Sequence, residues 1–231
     1  MTKRKVYIAL QVNPSPEAPD GYSERYEKYW KAVDRQLSGL EQRAGTVAKV
    51  FAEGILGRGD DAKLMLEQSN PAAWRVARDR WESGAVFEEY EDPELLGQVI
   101  DWGRCIQIGF MSQTVANTVR DSYIKASESR QKAQVEAIGT HLGESEAAFL
   151  LAGSTNVKLP DGVERFVIYP PELDELERWV KQTNEAIQRE MQEQQAHAGQ
   201  HRGQPAPGAQ RQQPGADSGG AKSSGLWTPG S

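Results

Sequence analysis

The sequence lacks the residues that several common kinds of site and structure require. Cys105 is the only cysteine in 231 residues, which excludes an intramolecular disulfide bond and a zinc site built on cysteines. His141 is the only histidine before residue 197, so neither a multi-histidine metal site nor a histidine-based triad is expected. No stretch approaches 18 consecutive apolar residues, and the N-terminus has no apolar signal segment. We therefore expect a soluble cytoplasmic protein with no membrane contact.

The chain also has too little positive charge for non-specific binding to nucleic acids. Its formal net charge is −6, from 27 basic and 33 acidic residues. Residues 197–231 include three basic residues and one acidic residue, a charge of +2, so the preceding residues have a charge of −8. An acidic surface repels a phosphate backbone. No nucleic-acid partner is expected.

The sequence does contain four short apolar runs separated by segments with helical periodicity, and a fifth run that follows closely. Buried strands that alternate with helices are typical of an α/β fold with a parallel sheet. We predict a mostly parallel sheet of about five strands flanked by helices, with one long helix over residues 113–142. The predicted strands lie within residues 5–12, 46–54, 83–89, 146–153 and 163–171.

Apolar residues at spacings of three and four predict the positions of the helices. One helix covers residues 22–44, with Ser23 as its predicted N-terminal cap and Gly45 at its end. A later helix begins at Pro93 with Asp92 as its cap, and Gly109 predicts a break before the long helix. The face of that later helix predicted to pack consists of Leu95, Leu96, Val99, Ile100 and Ile106.

The composition changes at residue 197 and suggests two parts. Residues 1–196 are predicted to form a single α/β domain, and residues 197–231 a disordered tail rich in Gly, Pro and Gln. Leu226 and Trp227, near the end of this segment, are typical of a tethered motif that docks into a groove on a partner protein. An incidental Leu-Trp pair in a disordered segment is the alternative interpretation.

Polar side chains follow the predicted strands at the points where the strands end. They are Asn13 after the first strand, Glu53 after the second, Glu88 and Glu91 after the third, and Ser154 and Asn156 after the fourth. The carboxyl ends of parallel strands meet at one edge of a sheet, where α/β proteins bind ligands. Glutamates gathered there can act as acid and base or bind a divalent metal, so the three glutamates are the predicted catalytic residues. The structural alternative is that these residues cap helices and form turns.

A Gly-rich segment, GILGRGD, lies between the second strand and the next helix. It lacks the Lys-Ser/Thr of a phosphate loop, so a simple turn is one interpretation. Arg58 within it can meet an anion at the start of the helix. We therefore group Arg58 with Asn13, Ser154 and Asn156 as predicted ligand-binding residues.

Three features together resemble the TraB/ChaN/erythromycin-esterase-like superfamily. They are Glu53-Gly54 after the second strand, the acidic segment GAVFEEYED at 84–92, and a late apolar strand ending in Gly153. The resemblance implies an α/β fold and, for many members, metal-dependent hydrolysis or haem handling, with Glu53 matching a family glutamate. The family's two histidine elements are replaced here by residues 12–15 and 153–156, which contain no histidine. The resemblance therefore implies a non-catalytic member.

Three functional hypotheses follow from the sequence. The first is a non-catalytic binding or scaffold protein that recruits a partner through its C-terminal tail. The second is a metal-dependent hydrolase that uses carboxylates at the strand ends. The third is an oligomeric structural protein, a homo-oligomer assembled through the long helix or through faces rich in tryptophan.

Overall fold

Five strands form one sheet in the part of the chain that the structure describes. The structure is a computed structural model that describes residues 3–201, with side chains up to residue 194. The sheet order is β3-β2-β4-β1-β5, and every neighbouring pair is parallel, which confirms the predicted α/β fold. The strands are β1 (Arg4–Leu10), β2 (Val47–Ala52), β3 (Val86–Phe87), β4 (Ala147–Ala152) and β5 (Val163–Ile168).

Helices cover both faces of this sheet. They are α1 (Tyr22–Ala44), α2 (Gly59–Ser69), α3 (Pro71–Glu82), α4 (Pro93–Ile108), α5 (Gln113–His141) and α6 (Pro171–His201). α5 is the predicted long helix, and the helical conformation is interrupted at Gly109, between α4 and α5, as predicted. α6 continues five residues beyond residue 196, where the sequence predicts the domain to end. Residues 202–231, including Leu226 and Trp227, lie outside the described residues.

Alternation along each strand divides the core into two layers. Tyr7 and Ala9 of β1 point to the face covered by α1, α2, α3 and α6, and Val6 and Ile8 point to the other. α5 covers that second face with Ile138, and the segment between β4 and β5 adds Val157 and Leu159. All six residues of β4 are buried, as expected for a central parallel strand.

The adjacent strands β2 and β4 are a topological switch point. The chain leaves β2 through α2 and α3 toward β3, at one edge of the sheet, and leaves β4 toward β5, at the opposite edge. Connections that diverge from adjacent strands open a crevice beyond the carboxyl ends of those strands, and ligands bind there in open α/β sheets. The fold therefore places a candidate site between β2 and β4.

Two local predictions are wrong. The N-cap of α1 is Gly21, in a left-handed conformation with φ 96°, and Ser23 lies inside the helix. The apolar face of α4 does not pack on the core, because no residue of α4 is buried and Ile100 and Ile106 are exposed. α4 packs on α5 instead of on the sheet.

Across residues 3–201, every helix is too short or too polar to cross a membrane.

Candidate functional site

A cavity of about 850 Å³ opens at the carboxyl ends of β1, β2 and β4. The backbone hydrogen bonds between the strands continue past the ends of β1 and β2, since Gln11 N–H donates to Ala152 O at 2.7 Å and Glu53 N–H donates to Leu151 O at 2.8 Å. Residues 11 and 53 therefore flank the tip of β4 on either side. The walls come from the segments after the three strands and from the helices α2, α5 and α6: Gln11, Val12, Asn13, Glu53, Gly54, Ile55, Gly153, Met65, Ser69, Arg130, Leu173, Glu177, Val180 and Lys181.

Glu53 is held at the cavity wall through both carboxylate oxygens. Arg130 Nη2 of α5 donates to its Oε1 at 3.1 Å, and the backbone N–H of Gly153 donates to its Oε2 at 2.6 Å. A Cβ at residue 153 would lie 3.3 Å from that Oε2, which is tighter than nearly all real Cβ contacts. Glycine at this position therefore lets the backbone approach the carboxylate.

Arg130 joins Glu53 to a second, fully buried carboxylate. Its guanidinium binds Glu91 through two hydrogen bonds, one of them from Nε to Oε2 at 2.8 Å, in the bidentate geometry that arginine forms with carboxylates. The side chain of Glu91 is 0% exposed, whereas that of Glu53 is 29% exposed. The arginine thus links a buried anion to an anion that reaches the cavity.

Glu91 has two further donors around it. Gln134 Nε2 donates to its Oε1 at 3.1 Å, and the backbone N–H of Gly54 donates to the same oxygen at 2.9 Å. Gly54 has φ 76°, a conformation that costs little only for glycine. The turn after β2 is therefore shaped to direct its N–H inward, and the buried carboxylate is fully hydrogen-bonded, as buried charges require.

The buried charges shift the protonation of their neighbours. Burial alone lowers the pKa of Arg130, but hydrogen bonds and charges from Glu91 and Glu53 outweigh that effect, so its pKa is raised. Burial, together with the charges of Glu53 and Glu91, raises the pKa of Tyr90, which packs on Phe51. Arg130 is therefore a permanent cation at this site.

The segment after β1 is fixed by side chains from α1 and from the α2–α3 corner. Asn70, 0% exposed, donates from Nδ2 to Val12 O at 2.8 Å and to Asn13 Oδ1 at 3.1 Å. Tyr22 OH donates to Asn13 O at 2.6 Å, and Trp30 Nε1 donates to Val12 O at 3.2 Å. Val12 and Asn13 in this wall are therefore fixed by several hydrogen bonds, although Asn13 begins a segment, NPSPEAPDG, whose composition is that of a loop.

The structure brings together only some of the predicted site residues. Asn13 and Glu53 line the cavity, and Glu91 lies behind them as the partner of Arg130. Glu88 faces away, where its carboxylate is 2.5 Å from Lys49 Nζ and 3.5 Å from His141 Nδ1.

The other three predicted ligand-binding residues, Arg58, Ser154 and Asn156, lie in a turn or at the start of a helix. Ser154 Oγ accepts the N–H of Asn156 in a turn, and both residues are exposed. Arg58 is the N-cap of α2. The contacts of Ser154 and Asn156 agree with the alternative interpretation that these two residues form a turn.

The carboxylates near the cavity are arranged around an arginine. Arg130 occupies the position between Glu53 and Glu91 that a divalent cation would need. Among residues 3–194, no group of three or more His, Cys, Asp or Glu side chains has a metal-binding arrangement. The site is therefore an arginine–carboxylate network that can recognise polar groups, and the Arg130 guanidinium is its cation.

Arg130 and Gln134 are the site residues that the sequence analysis missed. They belong to a row at spacing four, Ala126, Arg130, Gln134 and Ile138, that faces inward along α5. Two polar residues within an otherwise small and apolar row are the signal that could have identified them, because a buried polar side chain needs a buried partner.

Asn70 was missed as well, and its position directly before Pro71 at the start of a helix is the corresponding signal.

No protein-family model, curated protein or solved structure matches this chain.

Proposed function

We propose that the domain binds a small organic molecule in the cavity between β1, β2 and β4, without transforming it. The observation that supports this most directly is the Glu53 carboxylate, fixed by Arg130 and Gly153 while part of it faces the cavity. A charged acceptor held in one orientation recognises hydroxyl or amine donors at low entropic cost.

The cavity has the size and chemistry of a small-molecule site. Its volume of about 850 Å³ lies in the range of ligand pockets, and Ile55, Leu173 and Val180 give it apolar walls. Gln11 Oε1 is buried at the wall and accepts no hydrogen bond from the described residues. A ligand with an apolar body and an amine or hydroxyl group fits these walls, because its donor can meet Glu53 while its body covers the apolar side chains.

A bulky side chain in the cavity opening is expected to weaken the binding of such molecules. Ser69 lies on the rim, where its Oγ donates to Met65 O, and Ser69→Trp would place an indole in the opening. Ligand-observed NMR with a library of aromatic fragments bearing amines or hydroxyls should detect binding to the full chain. We expect Ser69→Trp to weaken the affinity at least about tenfold, since the variant excludes the fragment sterically.

Two matched variants separate this effect from general damage. Ser83 makes the same local contact as Ser69, because it is an exposed serine whose Oγ donates to the carbonyl four residues earlier, but it does not line the cavity. Ser83→Trp should therefore bind fragments like the wild type. Glu53→Gln should weaken amine-bearing fragments about tenfold or more, whereas Glu88→Gln, in an ion pair away from the cavity, should not. Failure of every fragment to bind, or equal binding by Ser69→Trp, would contradict the proposal.

Hydrolysis is the second candidate function. Glu53 lies beside the cation Arg130 at the cavity wall, and such a pair can orient a water molecule and polarise a carbonyl group. The resemblance to the TraB/ChaN/erythromycin-esterase-like superfamily favours simple binding instead, because the family's two histidine elements are missing from this chain. Conversion of a bound ester or amide fragment by the wild type, and not by Glu53→Gln, would favour hydrolysis over simple binding.

Recruitment of a protein partner through Leu226 and Trp227 remains a proposal from the sequence. Both residues lie outside the described part of the chain. Deleting residues 225–231 is expected to remove at least one partner from a pull-down with the full chain, because a short motif depends on its aromatic anchor. Trp227→Ala should reproduce the loss, and Thr228→Ala should not. Identical partners for all four proteins would count against the motif.

A further inference from the structure

The longest stretch without a charged residue lies between Arg104 and Arg120. Its 15 residues, 105–119, interrupt a chain in which 26% of residues are charged. The segment includes the end of α4, the turn at Gly109 and the first two turns of α5. We call residues 105–119 the hairpin tip.

The hairpin tip exposes a cluster of large apolar side chains. Met111 is fully exposed, and Ile108 is 81% exposed. Ile106, Phe110 and Val115 are also exposed, so five of the twelve exposed large hydrophobic residues in the described part of the chain fall in this segment. Contiguous exposed apolar side chains of this kind mark interaction surfaces in soluble proteins.

The hairpin lacks the second layer that amphipathic helices need. α4 and α5 pack along each other, and a Cβ at Gly103 would contact the ring of Tyr123 at 3.7 Å. α4 nevertheless has no buried residue, although Asp92 and Pro93 give it a well-formed start. Helices become stable mainly by burying an apolar face against another element, and two helices alone offer no further element.

The charges on the hairpin favour a second copy of this chain as that further element. α4 has two acidic residues and one basic residue, and residues 113–125 of α5 have one acidic and two basic residues. The two helices thus have net charges of −1 and +1, although residues 1–196 as a whole have a charge of −8. Two hairpins related by a twofold axis can place α4 of each copy against α5 of the other with opposite charges facing.

A membrane surface fits these charges less well. Elements that bind membrane surfaces combine an apolar face with an excess of Lys and Arg, which attracts anionic headgroups. The hairpin has no such excess, and the rest of the domain is acidic.

We propose that the hairpin tip is a homodimer interface, in which α4 and α5 of two copies form an intermolecular four-helix bundle. Such a bundle buries apolar positions on facing helices. Ile108 and Met111 lie at the centre of the contact and Arg104 and Arg120 at its rim.

Measurement of mass in solution tests the proposal. Sedimentation velocity of the full chain is expected to give twice the chain mass of 25.6 kDa at micromolar concentration. Met111→Glu and Ile108→Glu should each raise the dimer dissociation constant at least about a hundredfold, because each places two unpaired charges in the contact. Both side chains are exposed in the single chain, so neither substitution should lower its stability.

The control is a matched substitution elsewhere on the surface. Leu64 of α2 is 53% exposed, and Leu64→Glu should leave the dimer intact. A wild-type chain that stays monomeric up to about 100 µM, or a Met111→Glu variant that remains dimeric, would overturn the proposal. Flotation of a monomeric wild type with phosphatidylcholine vesicles, lost in Met111→Glu, would also overturn it and assign the tip to a lipid surface.

Discussion

Replacement of Arg130 by methionine is expected to lower the free energy of unfolding by about 3–5 kcal/mol. The side chain of Glu91 is 0% exposed, and Arg130 is the only cation within 4 Å of its carboxylate among the described residues. Without the guanidinium, that carboxylate keeps only the neutral donors Gly54 N–H and Gln134 Nε2. A buried charge with no counter-charge is among the most destabilising features that a single substitution creates.

Urea unfolding of the full chain measures this effect, and Arg189→Met is the matched control. Arg189 pairs with Glu185 at 3.9 Å, but both side chains are at least half exposed, so its loss should cost no more than about 0.5 kcal/mol. The double variant Arg130→Met/Glu91→Gln should recover part of the loss, because it removes the buried charge along with its partner. A midpoint for Arg130→Met equal to that of Arg189→Met would show that Glu91 does not depend on the ion pair.

Periodicity in the sequence was enough to predict most of the scaffold. The predicted helix over 22–44 agrees with the structure residue for residue, and β2 and β4 lie within the predicted ranges 46–54 and 146–153, since each element is bounded by a glycine or a change of period. The parallel arrangement followed from the alternation of strands and helices. The insertion of β4 between β2 and β1 could not be predicted, because no local pattern records which strands become neighbours.

The candidate site was predictable in position but not in chemistry. Parallel strands place Asn13 and Glu53 at one edge of the sheet, and in the structure both line one cavity. The sequence interpretation paired glutamates with one another or with a metal, whereas the folded chain pairs Glu53 and Glu91 with Arg130. That arginine is 39 residues from Glu91 and 77 from Glu53, so only the packing of α5 on the sheet brings the three together.

The misassigned face of α4 shows a limit of amphipathicity as evidence. Apolar residues at helical spacing indicate that a face must be covered, but the spacing does not say by what. In the described part of the chain that face meets α5 only in part, and Ile100 and Ile106 remain exposed. An intermolecular contact satisfies the same pattern, so the wrong prediction and the proposed dimer have one physical origin.

Replacement of Asn70 by alanine is expected to destabilise the protein by about 2–4 kcal/mol. Its Oδ1 caps α3 by accepting the N–H of Ala73 at 3.0 Å, and it also accepts the buried Tyr26 OH at 2.7 Å. Its Nδ2 holds Val12 O and Asn13 Oδ1 on the far side. Loss of the cap accounts for about 1 kcal/mol, and the remainder comes from buried polar groups left without a partner.

A serine at the same position separates the two contributions. Asn70→Ser keeps a side-chain oxygen for the cap of α3 but cannot reach Val12 and Asn13, so it should recover about 1 kcal/mol of the loss in Asn70→Ala. Asn156→Ala removes an exposed contact with Arg165 and should change the unfolding free energy by less than about 0.5 kcal/mol. Because Asn13 lines the cavity, both variants at residue 70 should also weaken fragment binding. If Asn70→Ala unfolds at the wild-type urea concentration, the corner between α2 and α3 does not hold the segment after β1, and that cavity wall is held by its other contacts, which include Tyr22 and Trp30.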